Sequence, residues 1–500
     1  MNATRHSFLF SFAEKYTVLL LSIVATMMLS RLLTPAEVGV YSLGAVLVAM
    51  AQVVRDFGVG QYLIQEKTLT TEKLRAALAT SLTVAWLLAA LVLAASGPLA
   101  RFYAEPRLQA VLQLLSINFL LIPFSALTLP LLRRQLRFRA IYAINTANSV
   151  TNLLVGVSMA LLGHSYMSLV AAVLAGSTAS LLTSLVVRPR ELPWLPGRRG
   201  IKAIISFGAY ATGGGLVDEA GVVAPDLVIG KMIDIESLAL FGKTQSMLSI
   251  FNQAITSAIS PVVFPLFAAR DREEGGAGPV YLRTVSYMTA LAWPFFLFLA
   301  CMALPLVKVL YGPQWSACTP LIRIMCLSAA VYSIFSMARY LLVATGQMRV
   351  QARLDAWAGG LKVAALLLAA PFGLGAVAWA VVFSTLVRSW LIYRCLRRFS
   401  SLDWRVLLPT LRKSLALCAI SSPPPLYMLL WMPADMPHAI PLLALAGTAL
   451  ATLLCWIGGI FMLNHDIAGE FLLLQRKLAG QLAGSQITAL SRKRRGRTKG

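Results

Sequence analysis

Along this chain, long apolar runs alternate with short polar turns, and the turns carry most of the charge. The hydrocarbon core of a bilayer takes about 20 apolar residues of helix. Measured against that length, the runs predict fourteen spans. They lie near 8–30, 38–62, 77–97, 108–130, 141–163, 168–187, 203–229, 238–265, 284–306, 317–345, 354–371, 374–393, 408–431 and 439–462. An even number places both ends of the chain on one side of the membrane.

The stretch from Ser30 to Gln65 shows the unit from which the rest is built. A polar turn, Thr34-Pro35-Ala36-Glu37, separates two apolar runs. Pro35 suits the first turn of the second helix, where its missing N–H has no intrahelical partner to lose. Arg55 and Asp56 sit near the end of that run, before the glycine-spaced exit Phe57-Gly58-Val59-Gly60. The pattern returns about two hundred residues on. Leu32-Leu33 with Val38-Gly39-Val40-Tyr41 is echoed by Met232-Ile233 with Leu238-Ala239-Leu240-Phe241. Pro98 to Tyr103 is echoed by Pro305 to Leu310, with Pro106 answered by Pro313. Two echoes at nearly one offset predict a duplicated bundle, an arrangement common in transporters.

Composition sharpens this reading. The 500 residues are 58% hydrophobic and 13% charged, against about 25% charged for soluble domains. Mean hydropathy is +0.74. The expectation is an all-α polytopic membrane protein. The net charge of +24 then belongs to cytoplasmic turns and anionic lipid rather than to nucleic acid. With cytoplasmic termini, the inside segments hold Arg133, Arg134, Arg137 and Arg139, then Arg188, Arg190, Arg198, Arg199 and Lys202, then Arg394, Arg397, Arg398, Arg405, Arg412 and Lys413. The outside segments hold only Arg31, Arg101, Arg107, Lys231 and Lys308. That asymmetry sets the orientation.

The proline-rich, basic stretch Arg188 to Lys202 reads as a cytoplasmic linker between halves. The domain division is therefore 1–187, a linker 188–202, 203–396, two added helices in 397–463, and a cytoplasmic tail 464–500. In the tail, Asn464 to Leu490 reads as an interfacial helix, and the final SRKRRGRTKG as a basic end attracted to lipid.

Catalytic and metal chemistry find little support. The six cysteines are scattered with no C-x-x-C, and the four histidines are isolated. No phosphate loop of the G-x-x-x-x-G-K-[ST] kind occurs, and no nucleophile–His–carboxylate set is suggested. Neither an enzyme nor a bound cofactor is expected, and energy would come from a gradient, a partner or consumption of the product.

In order and spacing, RLLTPAEVGVYSLG, DFGVGQYLIQ, LLRRQLRFRA, PDLVIGKMI and LYGPQW resemble the Wzx-type oligosaccharide-lipid flippases. These form the polysaccharide transporter group of the multidrug/oligosaccharidyl-lipid/polysaccharide flippase superfamily. The resemblance runs from about residue 8 to residue 396. It implies two six-helix lobes around a central cavity that opens alternately to either side, commonly with two further helices. The implied substrate is an undecaprenyl-diphosphate-linked sugar repeat unit, turned across the bacterial inner membrane for lipopolysaccharide, O-antigen or exopolysaccharide synthesis. The implied partners are that substrate, membrane lipids, a polysaccharide polymerase and a chain-length regulator. One departure is Asp234-Ile235-Glu236-Ser237, where the group more often has small residues.

Ionisable groups inside apolar spans are functional candidates by default. For substrate binding these are Lys15, Arg55, Lys243, Arg323, Arg339, Lys362 and Arg388. Arginine would supply a planar fork and lysine a point charge to a diphosphate. For gating or for Na⁺ or H⁺ coupling they are Asp56, Asp218, Glu219 and Asp226. Gly213-Gly214-Gly215, just before Asp218, marks a bend or a close approach. The structural readings are an Arg55–Asp56 packing pair, Asp226 paired with Lys231 or Lys243, and Lys362 and Arg388 snorkelling. Arg133 to Arg139 could capture diphosphate at the entrance. Competing functions are a gradient-driven multidrug antiporter and a peptidoglycan-precursor flippase. A membrane glycosyltransferase or polymerase would need a long extramembrane loop, which the chain lacks.

Overall fold

The structure, a computed structural model, describes residues 2–272, 276–400, 402–431 and 442–469. Among these residues the regular structure is helical throughout. The first nine helices are α1 (Asn2–Leu32), α2 (Pro35–Asp56), α3 (Val59–Gln65), α4 (Thr71–Phe102), α5 (Arg107–Leu121), α6 (Pro123–Ala126), α7 (Thr128–Arg134), α8 (Phe138–Leu161) and α9 (Met167–Val186). Then come α10 (Ile201–Met232), α11 (Ile235–Phe251), α12 (Ser257–Asp271), α13 (Gly278–Cys301), α14 (Ala303–Leu310), α15 (Cys318–Phe335), α16 (Ala338–Ala344) and α17 (Met348–Ala369). The last four are α18 (Leu374–Ser400), α19 (Trp404–Ser421), α20 (Pro423–Trp431) and α21 (Leu442–Met462).

Nine spans among the described residues are single segments long and apolar enough to cross a bilayer, and three bent pairs bring the number to twelve. The more polar α8 and α10, 24 and 32 residues long, reach about 36 and 48 Å at 1.5 Å per residue. With them the segments total the fourteen that the apolar runs predict. The bends fall where the backbone has a reason to break. Pro123 separates α5 from the next segment at 42°, and Pro423 separates α19 from α20 at 45°. A π-turn, Asn252–Thr256, interrupts the eighth span, which bends by 50°.

The repeated unit is visible as geometry. Thr34 closes a reciprocal cap on α2: its hydroxyl accepts from the Glu37 N–H at 3.3 Å, and Glu37 accepts from the Thr34 N–H at 2.7 Å. Two hundred residues later α10 ends at Met232 and α11 begins at Ile235. There Asp234 accepts from the Ser237 N–H at 2.6 Å. The departure from small residues thus supplies the cap that Thr34 supplies in the first copy. At the other end of α2, Phe57 and Gly58 take left-handed φ of 39° and 61°, which ends one helix and starts α3.

The chain forms two compact units. The first is Met1–Ser246, Val307–Leu321 and Asp355–Val381; the second is Met247–Leu306, Ile322–Leu354 and Val382–Gly500. In the first, α8 packs on α1 and α9, α4 on α5, and α2 on α5 and α10. In the second, α19 packs on α13 and α21, and α12 on α16.

Two expectations change. Helix α10 runs unbroken through Gly213-Gly214-Gly215, so the glycines do not break it. One of them does mark a close approach: a Cβ on Gly215 would lie 3.0 Å from Val53 of α2. The Arg188–Lys202 linker is docked onto the first unit. Leu192 is buried with Leu74, Leu127 and Leu131, the Gly197 N–H donates to the Arg75 carbonyl at 3.0 Å, and Arg199 pairs with Glu72 at 3.3 Å. Beyond Gly469, the expected interfacial helix and basic tail lie outside the described residues.

Candidate functional site

On α1, Val18, Ser22, Thr26 and Ser30 recur every four residues and so share one face. That face forms one wall of a cavity of about 550 Å³ within the first unit, a volume typical of small-molecule sites. Helix α2 adds Tyr41 and Ser42, α8 adds Asn148, Ser149 and Asn152, α10 adds Asp226, and α11 adds Lys243 and Ser246.

Lys243 is held by neutral groups. Its ammonium donates to the Ser30 hydroxyl at 2.5 Å, and that hydroxyl donates to the Thr26 carbonyl at 2.5 Å. The ammonium lies 5.2 Å from the Tyr311 ring centroid and 5.1 Å from that of Trp315. Trp315 is fully buried. Its indole N–H and the Gln314 side-chain amide both donate to the Ser30 carbonyl at 2.8 Å. The Arg31 guanidinium donates to the Val309 carbonyl, tying the same segment to the end of α1. Among the described residues no carboxylate lies within 4.0 Å of the Lys243 ammonium. An ammonium in a low-dielectric wall with only neutral partners keeps an uncompensated positive charge.

Asp226 lines the same cavity, also without an ion pair among the described residues. The expected pairing with Lys231 or Lys243 does not form. Lys231 instead donates to the Phe102 carbonyl. The cation whose charge acts on Asp226 is Lys362, and the Lys362 ammonium donates to the Gly221 carbonyl at 3.0 Å.

The other candidates are more dispersed. Arg55 and Asp56 form the expected pair, 2.7 Å apart, and the Arg55 guanidinium lies 6.0 Å from the Phe119 ring centroid. Lys15 is half-buried on α1, less than one turn before Val18. Glu219 is half-buried on α10, whereas the side chain of Asp218 lies outside the described residues. Arg323, Arg339 and Arg388 belong to the second unit. There Arg323 donates to the Ala300 carbonyl at 3.4 Å, Arg339 is exposed, and Arg388 lies 5.4 Å from the Tyr332 ring centroid. Arg134, one of the Arg133–Arg139 cluster, donates to the carbonyls of Leu63, Ile64, Glu66 and Lys67, closing the end of α3. Among the described residues no group of His, Cys, Asp and Glu is placed to hold a metal ion.

Ser30, Thr26, Asn148 and Asn152 line the cavity and Trp315 holds the Ser30 carbonyl, none of which an inventory of charges finds. The four-residue recurrence of small and hydroxyl residues on α1 was the available signal.

The chain is similar to the teichuronic acid biosynthesis protein TuaB of Bacillus subtilis (strain 168), 24% identical over 332 residues, 66% of this chain and 69% of that protein. It is also similar to the succinoglycan biosynthesis transport protein ExoT of Rhizobium meliloti (strain 1021), 24% identical over 380 residues, 75% of this chain and 74% of that one. Its fold is that of the lipid II flippase MurJ in an inward closed conformation, with a TM-score of 0.67 at 13% identity over 92% of this chain and 100% of MurJ. The family described as polysaccharide biosynthesis protein matches residues 28–320, more than half of the sequence, and the chain belongs to that family.

Proposed function

We propose that the chain is a flippase moving undecaprenyl-diphosphate-linked oligosaccharide units across the bacterial inner membrane by alternating access, for surface polysaccharide synthesis. The observation that carries this reading is Lys243, an ammonium facing a 550 Å³ cavity with no carboxylate partner among the described residues. In the proposed cycle the ammonium exchanges the Ser30 hydroxyl for a diphosphate oxygen. Hydrogen bonds with a charged partner are worth about 1.5–3 kcal/mol, enough to favour the anion over a neutral competitor by roughly tenfold or more. The lipid tail stays in the bilayer while the two six-helix lobes rock. Lys15, Arg55, Lys362, Arg323, Arg339 and Arg388 meet the substrate at other stages, and the Arg55–Asp56 pair acts as a gate. Both termini are cytoplasmic, and a polymerase with a chain-length regulator receives the product. The test is surface polymer in cells carrying Lys243→Ala or Lys243→Arg at matched membrane levels. Loss in the first with partial retention in the second is expected, and normal polymer in Lys243→Ala overturns the reading.

A second reading rests on Asp226. A carboxylate in the same cavity suits an antiporter that exchanges a cation for H⁺ or Na⁺, with Glu219 or Asp218 nearby on the helix. That reading expects Asp226→Asn to abolish resistance to organic cations and Lys243→Ala to spare it.

A further inference from the structure

One face of the cavity carries no charge. It is built by Ser22 and Thr26 of α1, Tyr41 and Ser42 of α2, and Asn148 and Asn152 of α8. Among the described residues, none of these six side chains has a hydrogen-bond partner. Each amide offers two donors and an acceptor oxygen, and each hydroxyl both donates and accepts. Ser22 is exposed and the other five are half-buried, so their polar atoms are open to a molecule that enters the cavity and can hydrogen-bond it. The two asparagines are one turn apart on α8, a rise of about 6 Å. Gly176 of α9 backs them: a Cβ there would lie 2.8 Å from Asn148 Oδ1 and 3.3 Å from Asn152 Cβ. Only glycine leaves room for the asparagine pair to sit as it does.

We infer that this face is a subsite for a neutral sugar bearing hydroxyl or acetamido groups, the one next to the diphosphate, and that Asn148 and Asn152 determine which sugar is accepted. The inference rests on the reading of Lys243 as the diphosphate anchor. Hydroxyl and acetamido groups donate and accept in turn, matching side chains that do the same. A carboxylate-bearing sugar would find no cation among these six side chains, and Lys243 would already be engaged by the diphosphate.

The test uses the purified full-length protein and three probes: geranyl diphosphate, the same diphosphate carrying N-acetylglucosamine, and the same carrying a hexuronic acid. Binding is measured by isothermal titration. The wild-type chain should prefer the N-acetylglucosamine probe to both others by tenfold or more. Asn148→Ala with Asn152→Ala should erase that preference, at roughly fivefold per amide, and leave the bare diphosphate affinity unchanged. Asn148→Ser, smaller and still able to hydrogen-bond, should retain part of the preference and keeps the test readable where the alanine pair fails to fold. Gly176→Ala should weaken the preference without altering any polar group. Lys243→Ala should weaken the N-acetylglucosamine probe and the bare diphosphate alike. Equal binding of bare and sugar-bearing probes, preference for the uronic acid, or an asparagine pair without effect overturns the subsite. A Lys243→Ala chain that binds both probes normally overturns the anchor beneath it instead.

Discussion

Lys243 and Ser30 lie 213 positions apart in sequence and 2.5 Å apart in space, ammonium to hydroxyl. Ser30 also hydrogen-bonds Thr26 through its hydroxyl and Gln314 and Trp315 through its carbonyl. The end of α1 is thus where the two copies of the repeated unit and the segment Val307–Leu321 are joined.

Trp315→Phe keeps the ring near Lys243 and removes the donor to Ser30. A lost hydrogen bond at a fully buried site costs about 1–3 kcal/mol. A lowered melting temperature in detergent is expected. Ser30→Ala should lower it as well and, by releasing Lys243, alter diphosphate affinity. An unchanged melting temperature in both variants would show that the hub is dispensable.

Gly39 and Gly213 should respond in opposite directions to alanine. A Cβ on Gly39 would sit 2.1 Å from the Ile235 carbonyl oxygen, against backbone that cannot step aside. Overpacking of this kind costs about 1–3 kcal/mol or more. A Cβ on Gly213 meets none of the described residues within 4 Å in an unbroken helix, so alanine there should stabilise by about 0.5–1 kcal/mol. Thermal unfolding of the two variants decides it.

Arg134→Lys should destabilise despite keeping the charge. The guanidinium reaches four carbonyls at the end of α3, and an ammonium cannot span that fork. A loss of about 1–3 kcal/mol is expected, read as faster proteolysis after Gln65.

Acidification should loosen the second unit in a window set by His465. This ring is buried; its Nδ1 accepts from the Ile467 N–H at 3.4 Å, and its Nε2 lies 3.3 Å from the Ser414 hydroxyl. Burial, with Lys413 adding to it and Asp466 opposing it, holds the imidazole below its ordinary 6.5. The folded chain therefore binds the proton less tightly than the unfolded chain. Stability is full above pH 6.5 and falls as pH drops through the lower folded value. His465→Asn should remove that dependence. Glu105 behaves alike in a lower window. Hydrogen bonds from Arg107 at 2.7 and 2.9 Å hold its carboxyl below 4.5, so its contribution is lost only as pH falls below that. Melting temperatures from pH 8 to 4 should show a fall beginning below pH 6.5 in the native chain that His465→Asn lacks, with the carboxylate losses following below pH 4.5 in both.

Helix length and the turn signals were legible in the chain because they are local. The Thr34-Pro35 turn, the two-hundred-residue echo and the fourteen apolar segments each depend on residues a few positions apart. The arginines show where local reading stops. Arg55 beside Asp56 could be paired by adjacency alone. Arg134, in a cluster of four arginines, is bound by carbonyls some seventy positions upstream, a partnership that adjacency does not reveal.

That this is a helical membrane protein built on a repeated pair of spans follows from the order of residues alone, because hydrophobic length and cap chemistry are properties of short segments. The fold alone set Lys243 against neutral partners, with no carboxylate within 4.0 Å of its ammonium among the described residues, and brought Asn148, Asn152 and Asp226 to the same cavity. Those outcomes depend on which helix faces meet across distances that no periodicity encodes, where a single turn of rotation exchanges lipid for the cavity.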